Sequence, residues 1–207
     1  MSDHWYARFN PLHAAPNLLT LTRICLAPLL VSAILDNRFA LSFGLFVAAG
    51  LTDALDGMAA RLLKQRTVLG QYLDPVADKL LLSTLFVVLT HMRDPGSGMR
   101  LIPVTVTVLV FGRDVGILVV AAILYAAVGR REFKPSLFGK ANTVAQVTAV
   151  AVVLLHQIYS AEWVVTLRMI ALDATIVLTV ASGLHYSWTV MRRMPTPAPG
   201  GAAGEGK

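Results

Sequence analysis

Charge is scarce in this sequence. Only 14% of its 207 residues are Asp, Glu, Lys or Arg, while 56% are hydrophobic and the mean hydropathy is +0.64, which excludes an ordinary soluble domain and points to a membrane protein. Cysteine is nearly absent as well. The single Cys25 lies in the first apolar run, so no intrachain disulfide can form, and it is read as a packing residue. Aromatic residues make up only 8%, and the basic residues behind the net charge of +6 are scattered between apolar runs. A basic stripe with interleaved aromatics is missing, which argues against nucleic acid and for an anionic membrane face. The stretch from Met1 to Pro16 also lacks a basic start, an apolar core and a small-residue cleavage site, so no cleaved signal peptide is expected.

What is present is a series of long apolar runs. A bilayer-spanning helix takes roughly 20 apolar residues, so about six spans with short loops use nearly the whole chain. The expected fold is an all-α polytopic membrane protein with six transmembrane helices. The spans are read at about 17–35, from 39 past Leu51, 70–90, 101–128, 137–159 and 163–190, with turns marked by Asp36, Asn37 and Arg38 and by Pro95, Gly96 and Gly98. The domain reading is an N-terminal juxtamembrane segment at 1–16, a membrane domain at 17–191 and a disordered tail at 192–207, where Pro, Gly and Ala dominate. Lys64, Arg66, Arg130, Arg131, Lys134, Arg192 and Arg193 fall on the side of the N-terminus, against Arg38, Arg93 and Arg100 opposite. The positive-inside rule then puts both termini at the cytoplasm, in an inner membrane of bacterial type. Trp5, Trp163 and Trp188 sit near span ends, where an amphipathic ring is well accommodated.

Against this background the acids are conspicuous. Asp53 and Asp56 are three apart at the end of the second run, and Asp74 and Asp78 are four apart at the start of the third, so each pair leaves one side of its own helix. The short connection puts both pairs on one membrane face, which is also the cytoplasmic one. Ordinary helix-end charges would be solvated, but these acids are flanked by Leu55, Leu73 and Val76. Four poorly solvated carboxylates repel one another unless cations compensate them. Hard oxygen donors suit Mg²⁺ or Mn²⁺, and two such ions form a clamp for in-line attack on phosphorus. Gly57 and Ala60 remove bulk beside the acids so that a nucleotide can approach, and Arg61 is placed to neutralise phosphate oxygens.

Asp53, Asp56, Gly57, Ala60, Arg61, Gly70, Asp74 and Asp78 together resemble the signature of the CDP-alcohol phosphatidyltransferases, Asp-x2-Asp-Gly-x2-Ala-Arg-x8-Gly-x3-Asp-x3-Asp, at every position and without a gap. The resemblance implies that Asp53, Asp56 and Asp74 bind two metal ions. It implies that Asp78 both touches a metal and serves as the general base. It also implies that Gly57, Ala60, Arg61 and Gly70 contact the CDP moiety of CDP-diacylglycerol, and that the protein is a homodimer. The acceptor hydroxyl would lose its proton to Asp78 and attack the phosphorus nearest the lipid, with CMP leaving and no covalent enzyme intermediate.

The acceptor is set outside this signature. Arg113, beside Asp114 in an apolar span, is placed to hold an acceptor phosphate, and Lys134 and Lys140 are further candidates; Asn142 and Gln146, four apart, bond either to the acceptor or between helices. Pro16-Asn17, Thr22-Arg23, Gly112-Arg113-Asp114-Val115 and the stretch from Lys134 to Gln146 look like the cardiolipin synthases of eukaryotic type within this family, which implies phosphatidylglycerol as acceptor. Glycerol-3-phosphate, the acceptor of phosphatidylglycerophosphate synthases, is the alternative. A small cation transporter would also use intramembrane acids, but it has no need of Gly57, Ala60, Arg61 and Gly70. A prenyltransferase spaces its aspartates differently.

Overall fold

The structure, a computed structural model, describes residues 15–62, 68–128 and 137–192; their side chains are described at 25–52, 79–120, 123, 137–189, 191 and 192. Among the described residues six helices follow in order: α1 Ala15–Leu35, α2 Phe39–Leu62, α3 Val68–His91, α4 Val104–Val128, α5 Leu137–His156 and α6 Glu162–Met191. Among the described residues the only extended pairing is an isolated antiparallel bridge between Arg93 and Arg100.

The turns form where the sequence is polar. Asn37 takes a left-handed φ of 57°, and the Arg38 N–H donates to Ala33 O at 2.8 Å, an arrangement that satisfies the last carbonyls of α1 and folds α2 back on it. Between α3 and α4, Asp94 organises a tight loop. Its carboxylate accepts from Gly96 N at 3.1 Å and Ser97 Oγ at 2.8 Å, and its carbonyl accepts from Gly98 N, where φ is 65° and glycine is needed. Arg168 of α6 donates to Leu101 O at 2.8 Å and so fastens this loop to the bundle.

Side-chain bonds between helices fix their register. Thr90 and Thr107 meet at 2.6 Å, and Lys79 and Asp114 meet further along, so α3 and α4 run antiparallel. Thr175 Oγ1 reaches Ala145 O, and Thr179 Oγ1 reaches Asn142 Oδ1 at 2.9 Å, so α5 and α6 run antiparallel as well. The apolar core lies toward the end of the bundle that holds the Asp94 loop. There Ile34, Leu85, Phe86, Leu89, Leu101, Ile102 and Val153 are fully enclosed.

The outer surface is apolar too. Leu118 is 69% exposed, Leu184 67% and Leu80 63%, and every helix shows large aliphatic side chains outward, the inside-out pattern of a lipid-facing bundle. Among the described residues two helices are long and apolar enough to cross a membrane, Leu137–His156 and Glu162–Thr189; Cys25–Leu35, Phe39–Thr52 and Lys79–His91 form shorter apolar stretches. The six helices match the sequence expectation in number and in boundaries to within a few residues. One expectation is corrected: Cys25 is exposed rather than packed. A thiol on an apolar outer face needs no polar partner, since it behaves as a small hydrophobe.

Candidate active site

Asp53, Asp56, Gly57, Ala60 and Arg61 fall in the last ten residues of α2, and Gly70, Asp74 and Asp78 in the first half of α3. Both segments are helical, as the three- and four-residue spacings require. The side chains of these eight residues lie outside the described ones, as does Lys134 entirely. Among the described residues no group of three or more His, Cys, Asp or Glu is arranged to hold a metal ion.

The described part of the site begins at Lys79, the residue after Asp78. Its Nζ lies 2.8 Å from Asp114 Oδ2, and the other carboxylate oxygen of Asp114 accepts from Arg113 Nη1 at 3.0 Å. The guanidinium continues to α6, where Nε at 3.2 Å and Nη2 at 2.6 Å both donate to Ser182 Oγ. Four residues thus tie α3, α4 and α6 together. The Arg113 and Asp114 side chains are each only 12% exposed, and Lys79 is 34% exposed. Neighbouring residues on a helix diverge by about 100°, so Asp114 serves only one arm of the guanidinium and Ser182 supplies the rest. Next to Ser182, Gly183 also faces Arg113, since a Cβ there would lie 3.8 Å from Arg113 Cγ, an ordinary contact distance. Among the described residues, two cations share one carboxylate in this seam.

The seam extends along α6 toward α5. Thr175, Thr179 and Ser182 are buried at spacings of four and three, and Thr179 holds Asn142. Asn142 and Gln146 are both enclosed on α5, whereas Lys140, two residues before Asn142, is exposed. The structure therefore brings Arg113 together with Asp114, and it adds two partners that sequence reasoning passed over. Lys79 has no local sequence signal that pairs it with α4. Ser182 was not singled out, although three hydroxyl residues on one stripe of an apolar helix were a legible signal.

Residues 13–181 match the CDP-alcohol phosphatidyltransferase family. The chain belongs to the CDP-alcohol phosphatidyltransferase family. It is 37% identical to human cardiolipin synthase (CMP-forming) over 163 residues, 70% of this chain and 51% of that protein. It is 31% identical over 174 residues to the CDP-diacylglycerol–glycerol-3-phosphate 3-phosphatidyltransferase of Aquifex aeolicus, covering 83% of this chain and 93% of the relative. The enzyme of that name from Bacillus subtilis is 29% identical over 195 residues, 86% of this chain and 96% of its own length. The chain spans about half the length of the human relative. CDP-alcohol phosphatidyltransferases are generally divalent-metal dependent. Asp53, Asp56, Asp74 and Asp78 carry hard carboxylate oxygens, the donor type that such an ion takes, and Lys79, the nearest cation in sequence, is turned to Asp114.

Proposed function

We propose that this protein transfers a phosphatidyl group from CDP-diacylglycerol to phosphatidylglycerol, forming cardiolipin and CMP. The observation that carries the acceptor side of this reading is the seam of Lys79, Asp114, Arg113 and Ser182, a cationic site held in place within an apolar bundle. An arginine fixed at Nε and Nη2 by Ser182 presents a rigid fork of five N–H donors, and that fork suits the phosphodiester of the acceptor. Lys134 and Lys140 belong to the same acceptor side. The human relative, named a CMP-forming cardiolipin synthase, supports the choice of acceptor. Glycerol-3-phosphate is the second reading, favoured by the Aquifex aeolicus relative, which this chain matches over nearly its full length.

In this reading Asp78 takes the proton of the acceptor hydroxyl. The freed oxygen attacks the phosphorus nearest the lipid, a P–O bond forms, and the P–O bond to CMP breaks with its electrons leaving on CMP. Two Mg²⁺ or Mn²⁺ ions held by Asp53, Asp56, Asp74 and Asp78 would supply positive charge to the oxygens around phosphorus and to the departing phosphate. Gly57, Ala60, Arg61 and Gly70 receive the CDP moiety. All six helices cross the membrane, with both termini and the acids at the cytoplasmic face of a bacterial-type inner membrane, and the protein works as a homodimer.

The test is CMP release from CDP-diacylglycerol by the detergent-purified protein with Mg²⁺ or Mn²⁺, with and without acceptor. Acceptor-dependent and metal-dependent CMP is the expected result. No CMP under any of these conditions would refute phosphatidyl transfer and return the cation-transport reading.

A further inference from the structure

Hydroxyl side chains within a helix commonly bond back to their own backbone, and α6 does so at three places. Thr166 donates to Glu162 O at 3.1 Å, Thr175 to Ala171 O at 2.8 Å and Thr189 to His185 O at 2.8 Å. Ser182 differs. Among the described residues its hydroxyl makes no bond to its own helix, and its Oγ accepts instead from Nε at 3.2 Å and Nη2 at 2.6 Å of Arg113 on α4. A hydroxyl oxygen has two lone pairs, and both are turned on one guanidinium.

That arrangement fixes the plane of the arginine. Nε and Nη2 lie along one edge of the planar group, so their convergence on a single oxygen sets its tilt, while Asp114 Oδ1 meets Nη1 at 3.0 Å. Ser182 is 1% exposed and the Arg113 side chain 12%, so the serine lies on the closed side of the arginine and acts only through it. It is not the sole tie of α6 to its neighbour. Arg168 donates to Leu101 O at 2.8 Å, in the segment that leads into α4. The neutrality of the serine matters as well. A second carboxylate here would pair off the guanidinium, whereas a hydroxyl orients it and leaves its charge for an anion.

We propose that Ser182 is a positioning residue for the acceptor, holding the Arg113 guanidinium in the orientation in which its fork meets the acceptor phosphate and so setting how tightly that phosphate is bound. This rests on the reading of Arg113 as the acceptor-phosphate site. The group concerned is a phosphate ester, which phosphatidylglycerol and glycerol-3-phosphate share, so Ser182 governs affinity for either acceptor. A planar, forked donor is the kind of side chain for which orientation decides affinity, because both of its bonds to a phosphate must form at once.

The test follows CMP release by the detergent-purified full chain at fixed CDP-diacylglycerol and Mg²⁺, over a range of phosphatidylglycerol or, if the wild type takes it instead, of glycerol-3-phosphate. In Ser182→Ala the acceptor Michaelis constant is expected to rise roughly 10-fold, as loss of hydrogen bonds to a charged group implies, while turnover at saturating acceptor and the constant for CDP-diacylglycerol move much less. Ser182→Thr keeps the hydroxyl and should restore most of the affinity; if its extra methyl does not fit, the double variant decides. In an Arg113→Ala background Ser182→Ala should add nothing, because the group through which the serine acts is gone. A serine that merely packs α6 on α4 would add its cost there too. An acceptor constant unmoved by Ser182→Ala, or moved equally in both backgrounds, overturns the inference. If Arg113→Ala itself leaves the acceptor constant unchanged, the acceptor-site reading falls instead.

Discussion

At one end of the bundle Ile34, Leu85, Phe86, Leu89, Ile102 and Val153 pack with no charge among them, while at the other Lys79, Arg113, Asp114, Asn142, Thr179 and Ser182 are buried or half-buried together. The helices are the same six, so the contrast lies in what each end is asked to do. Apolar packing holds the first end by many small dispersion contacts and close fit. The second end is at odds with its surroundings. A buried ion pair brings little net stability, since desolvation offsets most of the attraction, so the seam is better explained by the chemistry it holds ready than by the stability it adds. Substitutions at the two ends should therefore fail in different ways.

The largest effect is expected among the acids. Asp53→Asn, Asp56→Asn and Asp74→Asn should each abolish turnover by loss of metal, with partial rescue at raised Mg²⁺ or Mn²⁺ and a melting temperature close to that of the wild type. Turnover and metal titration on the same preparations check this, and wild-type activity at ordinary metal concentration in all three would remove the basis for the cluster. Asp78→Asn should still bind CDP-diacylglycerol and yet lose roughly 10²–10⁴-fold in turnover, because a general base acts on the acceptor proton and not on the donor lipid. If donor affinity fell as far as the rate, Asp78 would be a metal ligand alone.

The opposite end should break by unfolding. Phe86→Ala opens a cavity in the enclosed core and should cost about 3–5 kcal/mol of stability, while the Michaelis constants of whatever protein remains folded stay unchanged. A Phe86→Ala protein that melts like the wild type would show that this end is not the packing core.

Arg113 comes next in size. The acceptor Michaelis constant should rise in the order wild type, Arg113→Lys, Arg113→Ala, since Lys keeps the charge but loses the fork, and the constant for CDP-diacylglycerol should move much less. Unaltered acceptor dependence in a folded Arg113→Ala protein would leave the arginine as a helix fastener between Asp114 and Ser182. The smallest effect belongs to Asp94, in the loop that closes the apolar end. Hydrogen bonds from Ser97 and Gly96 hold its carboxyl below the usual carboxylate range. A carboxylate with a lowered folded pKa contributes stability above the unfolded value of about 3.9, and that contribution is lost as pH falls through the folded value. The melting-temperature gap between wild type and Asp94→Ala should hold steady from pH 7 to pH 5 and close below about pH 4.

How much of this was legible in the sequence depends on the kind of signal. Helix order and turns could be read because apolar runs broken by Asp36-Asn37-Arg38 and Pro95-Gly96 announce themselves locally, and α1 to α6 follow those marks. The spacing of Asp53, Asp56, Asp74 and Asp78 was legible for the same reason, and their backbone is helical in α2 and α3, while their side chains lie outside the described residues. The partners of Arg113 were not. Lys79 is 34 residues before it and Ser182 is 69 after it, and only the packing of α3, α4 and α6 decides that they meet. Asn142 and Gln146 could be placed on one face of a helix from the sequence, but that their nitrogens are enclosed and unpaired follows only from how α5 packs.

The central claim is phosphatidyl transfer to phosphatidylglycerol, and one competition tests it most directly. Purified protein is given CDP-diacylglycerol and Mg²⁺ with phosphatidylglycerol and glycerol-3-phosphate together, and the lipid products are identified by mass spectrometry. The account predicts cardiolipin, formed in step with CMP. Phosphatidylglycerophosphate as the sole product would contradict the acceptor assignment, and CMP-free reactions with no new lipid would contradict the account as a whole.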